Sequence, residues 1–405
     1  MNKFIFNLLQ LLIYILFSYP FFKISIINFM LILILLASII YRLTRRENKI
    51  NFQNVFILSI PFLVISINSL FYLNQNNWYE AIPNAIPFFS IPLTFALLPE
   101  ELFTKDKIYK YLNVLKVTCA FVSLSYIVLF LNKYSFEDFF SIGYRVSKFR
   151  VFVYDEINIF KIHPTYFTSI LVVLFASSLN AVFKRKKFYE ILFLIIFPLI
   201  SMLLLTKVNI VLMFLIMAYY LLFMTNYKKR NKIIITLFFS ISFLLSAILI
   251  PGIKVRFLET FQSFNSVPKG VAYDSTNIRV AIYKCDLELL KDNFWLGIGS
   301  NNLKTDIRNC FASNYDAEFY KENYYITHNY FIYILLSTGI IGFLFFAYYL
   351  YYFSKKILAT KWLEPIVLLI STIIICFSED YFYRNFGMFN FSILSLTFLK
   401  NKSFI

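Results

Sequence analysis

The sequence predicts an all-α polytopic membrane protein of about twelve transmembrane helices, with a large extracytoplasmic loop between the ninth and the tenth. Three observations carry this. The 405 residues are 60% hydrophobic and only 15% charged. Mean hydropathy is +0.68. The apolar residues fall in runs long enough to cross a hydrocarbon core as helices, about 20 residues each. A soluble core needs far less apolar content. The 51 Phe and 30 Tyr suit lipid-facing and interfacial positions.

Read in order, the expected spans are 4–22, 24–43, 54–73, 83–99, 114–131, 165–183, 189–206, 208–224, 233–251, 329–353, 363–378 and 385–399. The first run has no cleavage-site pattern and a second apolar run follows at once, so it reads as a retained helix, not a signal peptide. Residues 1–405 read as one integral membrane domain with no linker or second soluble domain. The net charge of +17 reports loop orientation. Basic residues sit in short connections between apolar runs, which argues against a nucleic-acid surface.

Orientation follows from Lys and Arg. With the N-terminus in the cytoplasm, the inside connections carry RLTRRENK, TKDKIYK, KRKK, YKKRNK and SKKILATK, while the short outside ones hold only Lys23, Lys207 and Arg384. That asymmetry puts both termini inside. Two long segments, 132–164 and 252–328, then fall outside.

This topology gathers polar residues on one face. His163 (in KIHPTYF), Lys207 (in LLTKVN), Arg279, His328, Glu379, Asp380 and Arg384 all lie at the outer boundary, and the chain has only two His. Each has a plainer reading. A terminal Lys or Arg snorkels to headgroups. Arg279 could pair with an acid such as Asp274. His328 could cap a helix, and His163 could orient a neighbouring loop. Gly297 and Gly299 alone mark only a tight turn.

Together, NIRVAIYKCDLELLKDNFWLGIGSNN and THNYFIYILLSTGIIGFLFF resemble the signature region of the O-antigen ligase family, whose superfamily also holds O-antigen polymerases and protein O-oligosaccharyltransferases. The residues carrying the likeness are Arg279, Trp295, Gly297, Gly299, His328, Asn329, Gly339 and Gly342, within 274–345. HPTYF, with His163 and Tyr166, and the SED…R…G stretch, with Glu379 and Arg384, look familial too. One departure stands out. Where the family commonly places Ser-Arg, this chain has Thr206-Lys207, which keeps the charge but loses the planar fork that grips phosphate in two places. Arg279 then carries more of an anion site, with Arg145 or Arg150.

The resemblance implies glycan transfer on the outer, periplasmic face of a bacterial inner membrane. The donor would be a glycan on a polyprenyl pyrophosphate. The acceptor would be lipid A-core, another glycan or a protein hydroxyl. In that reading Arg279, Lys207 and Arg150 stabilise the leaving pyrophosphate, and His328 is the general base, histidine being the side chain that changes charge near neutrality. One displacement at the anomeric carbon would invert it. No cofactor is expected. No paired-Asp motif occurs in the outer segments, so no metal is expected either. Ligase is favoured over polymerase, and both over protein transferase, because no soluble domain follows the last span. A transporter would place ionisable residues in mid-membrane. An assembly partner in polysaccharide export would look much like the enzyme.

Cys119 and Cys376 fall in apolar spans. Cys285 and Cys310 flank GIGSNNL in the large outer segment, where an oxidising compartment permits a bridge. Residues 276–291 read as an amphipathic helix, and the bridge would fix the height of Arg279.

Overall fold

The computed structural model describes residues 2–45, 52–72, 79–143, 146–234, 236–237, 241, 254–255, 258, 261–263, 266–270, 274–322 and 325–401. Helices stand at every expected span except the ninth, most of which lies outside the described residues, as does Arg145. In chain order they are α1 (Asn2–Leu16), α2 (Ile24–Arg45), α3 (Phe52–Leu58), α4 (Ile60–Leu70), α5 (Ala81–Ala85), α6 (Pro87–Leu97), α7 (Lys105–Leu131), α8 (Lys148–Val151), α9 (Pro164–Arg185), α10 (Ile191–Leu203) and α11 (Lys207–Tyr219). After the ninth expected span come α12 (Ser275–Asp292), α13 (Leu303–Asn314), α14 (Glu318–Glu322), α15 (Tyr330–Thr360), α16 (Leu363–Cys376) and α17 (Asn385–Lys400). A two-residue antiparallel pair, Ile142–Gly143 with Val146–Ser147, is the strand structure among the described residues.

Among the described residues five helices are long and apolar enough to cross a membrane alone, and the bent pair α3–α4 makes a sixth. Asn2–Leu16, Ala81–Leu97, Phe188–Leu203 and Leu363–Cys376 are apolar but shorter. At 1.5 Å per residue each falls short of a hydrocarbon core. The protein is therefore an all-helical, multi-pass membrane protein, and length and composition account for fewer crossings than the twelve expected. The expected third span is not one helix. It bends by 60° between α3 and α4, where Pro61 lacks the N–H that would continue the ladder. The span expected at 329–353 also differs. It runs on to Thr360 and is interrupted at Gly339, whose φ of 67° leaves the helical region. The segment between the ninth and tenth expected spans is not a bare loop where it is described, because α12, α13 and α14 occupy it.

At the centre stands α9, buried along 94% of its most apolar window and packed on α7, α10, α11, α16 and α17. Its sequence explains why it can be. Thr168, Ser169, Ser177, Ser178 and Ala181 are small enough for close helix approach. Two of its hydroxyls are satisfied within the helix: Thr168 Oγ1 donates to the Pro164 carbonyl at 2.9 Å and Ser169 Oγ to that of Tyr166 at 2.7 Å. At one end of α9 gather the starts of α11, α15 and α17 and the end of α16. The polar residues singled out in the sequence lie there.

Candidate functional site

The site is built from helix ends and the α12 segment. Asp274 caps α12, its carboxylate accepting from Asn277 N at 3.1 Å and from Ser263 Oγ at 3.1 Å. Arg279 and Tyr283, one turn apart, face the turn after α16. Arg279 donates to the Ser378 carbonyl at 3.1 Å and to Glu379 Oε1 at 3.2 Å. Tyr283 Oη reaches the Phe377 carbonyl at 3.4 Å and that of His328 at 3.5 Å. The ion-pair partner of Arg279 is thus Glu379, a hundred residues away. Further along α12, Cys285 is bonded to Cys310 of α13, with Cα atoms 5.8 Å apart, so the middle of the arginine-bearing helix is tied covalently to the next one.

Two adjacent acids do different work. Asp380 holds the chain around the histidine: Thr327 Oγ1 donates to its Oδ1 at 2.5 Å and the His328 amide to its Oδ2 at 2.9 Å. These bonds hold His328 at φ 46°, a left-handed conformation that is uncommon for a non-glycine residue. The imidazole then projects back toward the turn, with Nδ1 3.7 Å from Glu379 Oε2. Asn329 caps α15, its Oδ1 accepting from the amides of Phe331 and Ile332. Burial alone would push the Glu379 carboxyl up. The nearby His328 imidazole and Arg279 guanidinium outweigh it and hold the carboxyl well below the usual carboxylate range. For Asp380 burial prevails and its carboxyl is raised.

His163 caps α9, its Nδ1 accepting from Thr165 N at 3.3 Å. Burial, reinforced by Arg150 and Arg384, lowers its pKa to about 3 although Glu379 opposes the shift. Tyr166 is buried behind it, stacked on Tyr381 with ring centres 5.3 Å apart. Arg150 sits on α8, where its guanidinium donates to the Leu204 carbonyl at 2.5 Å. It is thereby anchored to the bend that precedes Lys207, the first residue of α11. Arg384, at the start of α17, is exposed and near enough to His163 and Tyr166 to influence their charge.

Two cavities open among these groups. The larger, 210 Å³, is lined by His328, His163, Tyr154, Asp155 and Tyr325, and the smaller, 130 Å³, by Lys207, Thr206, Thr165 and Asn209. Arg150, Ser275, Arg279 and Glu379 line both. The smaller cavity therefore presents three cations against one carboxylate, and the larger two against two. Arg279 Nε and His328 Nδ1 are buried without a hydrogen bond, so each retains polar capacity at the cavity walls. Among the described residues no group of three or more His, Cys, Asp and Glu side chains is placed to hold a metal ion.

Gly297 and Gly299 do not line either cavity. Both have positive φ, and the turn they shape docks on the interruption of α15. The amides of Ile298 and Gly299 donate to the carbonyls of Leu336 and Ser337 at 2.7 and 3.1 Å, and that of Ile340 to Phe294 at 2.8 Å. These are the backbone groups that the break at Gly339 leaves unpaired within the helix. A Cβ on Gly297 would lie 2.5 Å from the Leu336 carbonyl oxygen, and one on Gly339 2.1 Å from that of Trp295. The Gly-x-Gly is a clamp between the turn at 294–299 and α15.

Tyr154, Asp155, Tyr325 and Ser275 escaped the sequence reading. Aromatic residues are so common in this chain that two more carried no signal, and Asp155 is one of three consecutive polar residues in YDE.

No curated protein matches the chain. Residues 191–347 match the family model described as O-Antigen ligase, a range that takes in Lys207, Arg279, both glycines of the clamp and His328. Over that stretch, which carries most of the site, the chain is similar to the O-antigen ligase family.

Proposed function

We propose that the protein transfers a glycan from a polyprenyl pyrophosphate carrier to a hydroxyl of an acceptor glycan, at the periplasmic face of the inner membrane. Ligation of a surface polysaccharide to lipid A-core is the leading form. The observation that supports it most is the pair of cavities that share Arg150, Ser275, Arg279 and Glu379, one rich in cations and the other lined by His328. Pyrophosphate is a good leaving group when its growing charge is met, and Lys207, Arg150 and Arg279 surround a single space. The acceptor oxygen attacks the anomeric carbon as the bond from that carbon to the pyrophosphate oxygen breaks. The hydroxyl proton passes to His328, and polyprenyl pyrophosphate departs with the electron pair. Glu379, facing Nδ1, stabilises the imidazolium so formed. Attack from the side opposite the leaving group inverts the anomeric centre.

The test is transfer by the purified protein in lipid vesicles, with a lipid-linked glycan donor and lipid A-core acceptor. His328→Ala should abolish product while donor binding remains. A His328→Ala protein that still turns over would refute the assignment. Polymerase activity is the second form, because a sugar hydroxyl on another lipid-linked glycan fits the same chemistry. It would show as a ladder of lengthened donor when lipid A-core is omitted.

A further inference from the structure

We infer that the larger cavity is a carbohydrate subsite that receives the acceptor sugar, built from Tyr154, Asp155 and Tyr325 on two separate outer segments. This rests on the transferase reading and goes further, since it assigns which cavity takes which substrate and which residues choose the acceptor. The first argument is electrostatic. The two spaces share Arg150, Arg279 and Glu379, and differ in that one adds Lys207 and the other Asp155. An anion is drawn to the lysine side and repelled from the carboxylate side. The pyrophosphate therefore lies toward Lys207, and a neutral partner is left with the Asp155 side.

The second argument is chemical. His328 lines only the larger cavity, and a general base must reach the hydroxyl it deprotonates. The acceptor must therefore enter there. The third is the composition of the walls. Tyr154 stands edge-on to His163 with ring centres 5.1 Å apart, and Tyr325 lies 5.9 Å from the ring of His328. Tyr154 is 37% exposed, so its ring has a face to offer. Aromatic faces receive the C–H faces of a sugar ring, and a carboxylate accepts from two neighbouring hydroxyls at once. This combination suits a pyranose better than the flexible backbone around a Ser or Thr.

The subsite also has the right construction to be selective. Tyr154 and Asp155 follow Arg150 on the stretch after α8, whereas Tyr325 precedes His328, so the sugar would bridge two segments that are each anchored to the membrane helices.

The experiment measures initial transfer rates with the full-length protein in vesicles, varying purified lipid A-core at fixed lipid-linked donor and then the reverse. Asp155→Asn should raise the acceptor KM by about tenfold, the size of one lost charge-assisted hydrogen bond, Tyr154→Ala should raise it too through the lost ring face, and both should leave the donor KM unchanged. Lys207→Ala should do the opposite. An unchanged acceptor KM in both variants, or a rise in the donor KM instead, would overturn the subsite while leaving the transferase reading intact. Absence of transfer by the wild-type protein with either glycan acceptor would instead strike the transferase reading. As a second readout, core oligosaccharide without lipid or donor should bind the wild type about tenfold more tightly than Asp155→Asn. A serine-containing peptide that is glycosylated while lipid A-core is ignored would likewise overturn the sugar specificity.

Discussion

The two ends of α9 carry buried charge in opposite ways. At its C-terminal end Lys116 and Glu190 pair at 2.7 Å, 2% and 1% exposed, and Ser178 Oγ donates to the same carboxylate at 2.9 Å. Asn180 then links Glu364 to Tyr220, at 2.9 and 3.0 Å. Every group in that network has its partner. At the N-terminal end Arg279 and His328 approach Glu379 less closely, at 3.2 and 3.7 Å, Arg279 Nε and His328 Nδ1 make no hydrogen bond, and cavities open beside them. Buried polarity by itself therefore says little about function. A closed network holds helices together, whereas an incomplete one beside a cavity has something left to bind.

That contrast can be broken by exchange of readouts. The largest effect should come from His328→Ala, with transfer falling by two to four orders of magnitude, roughly the contribution of general-base catalysis, and little change in Tm. Lys116→Met should do the reverse. Stranding Glu190 costs about 3–5 kcal/mol, seen as a lowered Tm, while the rate per folded molecule stays near wild type. If Lys116→Met silenced transfer without affecting Tm, the two ends would not be functionally distinct.

A smaller effect tests the clamp on α12. Reducing the Cys285–Cys310 bridge, which closes 25 residues, should cost about 3 kcal/mol in the chain-entropy model. It should raise the donor KM through Arg279 before it alters the unfolding of the membrane helices. The smallest effect is pH-dependent. His163 has its pKa lowered from 6.5 to about 3. Between those values the unfolded chain binds a proton that the folded one refuses, so stability should decline as pH falls through that window. Glu379, depressed from 4.5, adds stability above its ordinary value that is lost as pH falls below it. His163→Gln should flatten the upper part of the curve. A curve unchanged by that substitution would show that His163 is not held neutral in the fold.

Much of this was legible beforehand. Hydropathy located the helices because the bilayer requires long apolar runs. Once their ends were placed, His163, Lys207, Arg279, His328 and Glu379 had to fall on common ground. What could not be read were partnerships across the fold. Arg279 and Glu379 are a hundred positions apart, and nothing local in either segment names the other. The role of Asp380 beside Glu379 was equally hidden, because two adjacent acids differ only by which backbone they meet. Gly339 was misleading for a different reason. Glycine is common in continuous membrane helices, so a break shows only when another segment supplies the hydrogen bonds.

The docking of residues 294–299 onto that break has a consequence for how the polypeptide can vary. The turn and the gap are matched group by group, amide to carbonyl, so their lengths are locked to each other. An insertion or deletion of even one residue in 294–299 or 336–340 would strand backbone polar groups at the edge of the bilayer. The stretch from 303 to 322 carries no such amide-to-carbonyl match and is held instead by the Cys285–Cys310 bridge to α12. Synthesis also has an order: the turn leaves the ribosome before the helix it interrupts. The earlier segment can therefore act as a template, and the later helix completes its fold only by closing around it.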